Sequence, residues 1–119
     1  MVLVDTSVWV DHLRRGNPTL KELLSTEQVV CHSLVPGELA CGNLRHRATV
    51  LTLLRALPQA PTAEDDEVLH LLDTRQLYGR GLGWVDVHLL ASALLLDCAF
   101  WTLDRRLQRA AGQLGIPAR

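Results

Sequence analysis

Four carboxylates carry the chemistry open to this chain. Asp5, Glu38, Asp86 and Asp104 each stand where a strand or loop hands over to a helix. Taken singly, each has a plain structural use. An acid at the start of a helix accepts from free backbone N–H groups and complements the helix dipole. Taken together, they would meet at one edge of a parallel sheet, because ligands bind outside the carboxyl ends of the strands there. Asp86 stands among Trp84, Val85, Val87, Leu89 and Leu90, and its nearest Lys or Arg in sequence is Arg80. An unpaired carboxylate in such surroundings costs on the order of 5 kcal/mol, so it calls for a partner. Oxygen donors without Cys or His suit Mg²⁺ or Mn²⁺ rather than zinc. Such an ion orients water, lowers its pKa and neutralises charge on a phosphodiester under in-line attack. Four carboxylates leave room for one ion or two.

The elements that must position these acids follow from the apolar pattern. Val2–Val4 is an unbroken apolar run, as in a strand buried on both faces. Asp5, Thr6 and Ser7 then offer capping side chains for a short helix through Trp9 and Leu13, which Gly16-Asn17-Pro18 ends. A second helix is expected from Pro18 to Ser25. Gln28–His32 reads as a strand, and Ser33 caps a helix carrying Glu38 beside Pro36-Gly37. Ala48–Leu57 is a further helix. Leu57–Pro61 holds at most a brief edge strand, restricted by Pro58 and Pro61. Thr62 is the expected cap of a helix that opens on Glu64-Asp65-Asp66-Glu67 and runs to about Leu77. Trp84–Asp97 is apolar nearly all round and is expected to be buried. Ala99–Leu103 is a strand and Asp104–Leu114 the last helix. Strands alternating with helices mean an α/β fold with a parallel sheet.

The 119 residues suffice for one domain, 1–119, and nearly half are hydrophobic, so a sizeable core is available. The net charge of −1 does not advertise nucleic-acid binding, yet eleven of the twelve Lys and Arg are Arg. Arg grips phosphate through a bidentate fork, whereas Lys acts as a point charge; a compositional bias of the genome explains the excess equally well. Cys31, Cys41 and Cys98 are odd in number and far apart, so neither a zinc site nor a disulfide framework is expected. Each reads as a small buried hydrophobe in a reducing cytoplasm. The start Met1–Asp5 has no basic region and too short an apolar run for a signal peptide. Leu89–Leu96, the greasiest stretch, is too short to cross a membrane.

Around the acids, four local patterns resemble the PIN-domain ribonucleases of the VapC toxin type. They are Val4-Asp5-Thr6-Ser7-Val8-Trp9, Pro36-Gly37-Glu38-Leu39-Ala40, the run Trp84–Ala93 that contains Asp86, and Trp101-Thr102-Leu103-Asp104-Arg105-Arg106-Leu107. Their order and their spread over most of the chain carry the resemblance. It implies a parallel sheet of four or five strands with helices on both faces. It implies Mg²⁺-dependent endonuclease action on RNA, usually a structured RNA such as tRNA, and a homodimer neutralised by a VapB-type antitoxin. On that carry-over Asp5 and Asp86 are the direct metal ligands. Glu38 and Asp104 complete the catalytic set, and the hydroxyls of Thr6 and Ser7 support Asp5 or a substrate phosphate. The abrupt C-terminus departs from the pattern and puts the last strand in question.

Other features have blander uses. Arg80, in the loop Gly79-Arg80-Gly81-Leu82-Gly83, is a candidate for substrate phosphate at even odds with a solvated role. Arg45-His46-Arg47 could touch an RNA backbone, although a solvated helix end accounts for it slightly better. The five His residues show no ligand spacing. Trp9, Trp84 and Trp101 suit core or dimer packing better than base stacking. A haloacid-dehalogenase-type phosphatase would need a second Asp where Ser7 stands, and a receiver domain would need a Lys at a strand end. The stronger rival is a non-catalytic module of the same fold that binds RNA or protein; four repelling acids without a metal would serve such a module poorly.

Overall fold

A computed structural model describes all residues 1–119. Val2–Val4 forms β1, and all three of its residues are buried, so both faces of the strand are covered. The chain then runs through α1 (Thr6–Arg15) and α2 (Pro18–Ser25) to β2 (Val29–Val30). It continues through α3 (Leu34–Ala40), α4 (Arg47–Ala56), α5 (Asp65–Thr74) and α6 (Trp84–Leu96), then β3 (Ala99–Trp101) and α7 (Arg105–Gln113). The strands pair in parallel in the order β2-β1-β3. Val2 and Leu3 lie opposite Val29 and Val30, while Val2, Leu3 and Val4 lie opposite Ala99, Phe100 and Trp101. Successive strands therefore depart to opposite sides of β1. Its carboxyl end is the point where strand order reverses, the usual place for a ligand crevice.

The sheet has three strands, not four or five. Both expected flanking strands shrink to single bridges, Cys31 with Gln59 on one side and Phe100 with Ala118 on the other. Cys31 N–H donates to the Pro58 carbonyl, and Phe100 N–H donates to the Pro117 carbonyl. Pro58, Pro61 and Pro117 lack the N–H that a longer ladder would need.

Four smaller expectations also change. Glu64, rather than Thr62, precedes α5, and Glu67 reaches back to the Glu64 N–H at 2.9 Å. Ser33 makes no cap bond; the imidazole Nδ1 of His32 accepts from Leu34 N–H at 3.0 Å instead. Helix α6 is buried from Val87 to Ala93, but Leu94, Leu95 and Leu96 are exposed at its carboxyl end. Cys31 and Cys98 are buried as expected, whereas Cys41 is exposed because it ends α3 at the surface. No helix is long and apolar enough to cross a membrane.

Candidate active site

Asp5 directly follows β1, and its backbone N–H still donates to the Trp101 carbonyl of β3 at 2.9 Å. Its carboxylate is 5% exposed and is held by one oxygen. Oδ2 accepts from the Ser7 hydroxyl at 2.6 Å, the Thr102 hydroxyl at 2.7 Å and the Ser7 N–H at 3.3 Å. The two hydroxyls are braced in turn. Ser7 Oγ accepts from Leu103 N–H at 3.0 Å, and Thr102 Oγ1 accepts from Asp104 N–H at 3.1 Å. Asp5 is thus bonded to the loop that carries Asp104.

The other three acids are built alike. Asp104 Oδ1 caps α7 by accepting from Arg106 N–H at 2.8 Å and Leu107 N–H at 3.2 Å. Asp86 Oδ2 reaches back one turn to Gly83 N–H at 2.8 Å. Glu38 Oε1 accepts from the Thr6 hydroxyl at 2.5 Å, which ties α3 to the start of α1. Each acid therefore spends one oxygen on the protein, and no protein donor reaches the second: Asp5 Oδ1, Asp86 Oδ1, Asp104 Oδ2 and Glu38 Oε2. Capping and ligation are not alternatives at these positions, because a carboxylate has lone pairs for both.

Charge completes the description. None of the four acids has a Lys, Arg or His partner; the ion pairs in the chain are Arg15 with Asp11 and His88 with Asp65. Burial pushes the Asp86 carboxyl up, the Gly83 N–H draws it back, and the charges of Asp5 and Asp104 push it up further. Those last two contributions place Asp86 within electrostatic reach of both. The N-termini of α1, α6 and α7 carry these acids, so three helix dipoles offset part of the repulsion. As the side chains stand, no three His, Cys, Asp or Glu residues approach closely enough to grip one ion at once. The donor set nevertheless fits a hard cation: four carboxylate oxygens at one sheet edge, free of protein donors and of counter-charge. Asp86 is half-buried and Asp104 and Glu38 are exposed, so their carboxylates have room to turn inward.

Asp5, Asp86, Asp104 and Glu38 thus come to the same edge, as do Thr6 and Ser7, whose hydroxyl protons point to Glu38 and Asp5 rather than outward. Arg80 bonds Gln113 Oε1 at the far end of α7 from Asp104. Arg106 lies over the glycine loop instead, so close that a side chain at Gly81 (φ +77°) would collide with its guanidinium. Thr102 is the residue of this hydrogen-bonded set that sequence reasoning missed. Its signal was a Thr between an apolar strand and a capping Asp, at 3% exposure the one buried hydroxyl on Asp5.

The profile of the PIN domain family matches residues 2–113. Ribonuclease VapC32 of Mycobacterium tuberculosis, in strains CDC 1551 / Oshkosh and ATCC 25618 / H37Rv, is 49% identical over 117 residues, covering 98% of this chain and 94% of the relative. Among solved structures, one described as FitAB bound to an IR36 DNA fragment superposes with a TM-score of 0.64 at 18% identity, over 100% of this chain and 94% of that one. At that identity the likeness bears on the fold alone. With a profile spanning nearly the whole chain and a relative so similar along its length, this chain belongs to the PIN-domain family, in its VapC branch.

Proposed function

We propose that this chain is a VapC-type endoribonuclease toxin, which hydrolyses RNA phosphodiesters with the help of a divalent cation. The observation that carries the reading is the shared construction of Asp5, Asp86, Asp104 and Glu38: one oxygen anchored, one free, no counter-charge. Asp5 and Asp86 are the direct ligands, and Mg²⁺ or Mn²⁺ bound there would lower the pKa of water and neutralise charge on the phosphate. The name of the 49% identical relative supports the ribonuclease activity and an RNA substrate.

The protein's own part is chiefly orientation. Ser7 and Thr102 lock Asp5 Oδ2, so Asp5 Oδ1 has one fixed direction. Thr6 holds Glu38 at the start of α1. Glu38 Oε2 or Asp104 Oδ2 takes a proton from the attacking water as its oxygen bonds to phosphorus. The P–O bond to the departing ribose breaks, and that oxygen is protonated from solvent. The helix N-termini beneath the acids favour the negative charge of the phosphate.

The whole chain, 1–119, acts as one catalytic domain in this reading. Its partners are an RNA such as tRNA, a VapB-type antitoxin and a second copy of the chain, acting in the cytoplasm. The test is cleavage of total cellular RNA by wild type and by Asp5→Asn, with cut sites mapped. Discrete cuts that need Mg²⁺ or Mn²⁺ and vanish in the variant are expected. Equal cutting by the variant, or intact RNA with wild type, overturns the proposal.

A further inference from the structure

The acid edge presents a problem to a polyanion. Four unpaired carboxylates attract a cation, but they repel an RNA backbone everywhere the cation is not. The backbone must be gripped nearby by positive charge, and one groove offers it. Between α1 and the α3–α4 connection lies a groove of about 680 Å³. Thr6 and Glu38, already part of the acid edge, line it as well. Arg14 reaches it from α1, and Arg45 and His46 from the connection. None of these three side chains makes an ion pair or a hydrogen bond within the chain, and all three residues are exposed. Beneath them the lining is aliphatic, with Val10, Leu39 and Leu44.

The structure also divides the three basic residues of 45–47. Arg47 folds back over the end of α3 and donates to the Ala40 carbonyl at 2.6 Å and the Gly42 carbonyl at 3.4 Å. It satisfies orphan carbonyls at the end of α3 and so shapes the connection. Arg45 and His46 are left free for the groove.

We propose that this groove binds an unpaired RNA strand leading into the acid edge, with Arg14 and Arg45 on successive phosphates and base faces against the aliphatic floor. This rests on the ribonuclease reading and adds the path by which substrate arrives. Basic side chains above an apolar floor match the two-sided chemistry of single-stranded nucleic acid. A base-paired stem would keep its base faces stacked inside, so the floor favours a loop or an open end.

The test uses the full-length protein carrying Asp5→Asn, so that nothing is cut, and a fluorescent single-stranded RNA oligonucleotide. Affinity is measured by anisotropy across a salt series without divalent metal. Losing one phosphate contact on a single strand lowers the slope of log K against log salt by roughly 0.7, so Arg14→Gln with Arg45→Gln should lower it by about 1.4. Arg45→Lys should hold the slope. Arg55→Gln, on α4 and outside the lining of the groove, removes one charge and should move it far less. Unchanged slope and affinity in the double variant refute the groove, and leave it to a protein partner. A loss in Arg55→Gln as large as in Arg14→Gln also refutes it, because then only overall charge matters. These outcomes do not depend on cleavage: failure of wild type to cut RNA would sink the ribonuclease reading, while the slope judges the groove.

Discussion

Thr102→Val is the sharpest probe of how the site is held. The substitution keeps the shape of a side chain that is 3% exposed and removes only its hydroxyl. Two bonds go with it: the donation to Asp5 Oδ2 at 2.7 Å and the acceptance from Asp104 N–H at 3.1 Å. A hydrogen bond to a charged, buried acceptor contributes roughly 1.5–3 kcal/mol, and a neutral one about 1 kcal/mol. Asp104 is exposed, so water recovers much of the second. The new methyl group in a buried place returns up to about 0.8 kcal/mol. The expected net loss is therefore about 2 kcal/mol, read by urea unfolding, or roughly 8 °C in Tm for a chain of this size. A double-mutant cycle with Asp5→Ala, which leaves no side-chain acceptor for the Thr102 hydroxyl, makes the argument specific. The two losses should fall short of additivity by about 1–2 kcal/mol, since each variant already breaks the shared bond. Additive losses, or a Thr102→Val protein within about 0.5 kcal/mol of wild type, would refute the claim that Thr102 holds Asp5.

Metal should stabilise the fold: with Mg²⁺ or Mn²⁺ at 100 times its Kd, unfolding should cost about 2.7 kcal/mol more, an effect abolished by EDTA and absent in Asp86→Asn. A wild-type melting curve indifferent to millimolar Mg²⁺ and Mn²⁺ would contradict the cation reading. Burial first, and then the neighbouring His88, push His32 down to about 4 from its usual 6.5. The unfolded chain therefore takes up a proton between those values that the fold refuses, so stability falls as pH drops from about 6.5 to 4, by about 2–3 kcal/mol in all. His32→Asn, which can still accept from Leu34 N–H, should flatten that part of the stability–pH profile; an unaltered profile would mean His32 is not its source. Gly81→Ala should cost about 1–2 kcal/mol in chemical unfolding, because φ is +77° there and the new methyl meets Arg106. A neutral result would show that Arg106 swings away freely.

Much of the fold was legible because its signals are local. The unbroken run Val2–Val4 reads as a strand buried on both faces, and a parallel pairing follows once helices separate the strands. Asp5 and Asp104 were recognisable as caps from the residues beside them, and both do cap helices. Where local signals competed, chemistry of comparable strength decided the outcome. Thr62 and Glu64 are both fair helix openers, and the return bond from Glu67 favours Glu64. Prolines limited the outer strands to bridges, but how far pairing would run before them depends on partners distant in sequence.

The sequence by itself determined which groups could act: four carboxylates with no Cys or His among them, and an excess of Arg over Lys. Residue type is enough for that, because donor hardness and charge belong to the side chain alone. Tertiary structure decided what each group has left to offer. Asp5 and Thr102 are 97 residues apart, as are Thr6 and Glu38 by 32, and only folding sets which oxygen of each acid is taken. It also turned Arg47 toward backbone carbonyls, drew Arg80 to Gln113, and left Arg14 and Arg45 unpaired beside the acid edge. Hydrogen bonds act over about 3 Å, so no reading along the chain could assign them before the strands had brought their ends together.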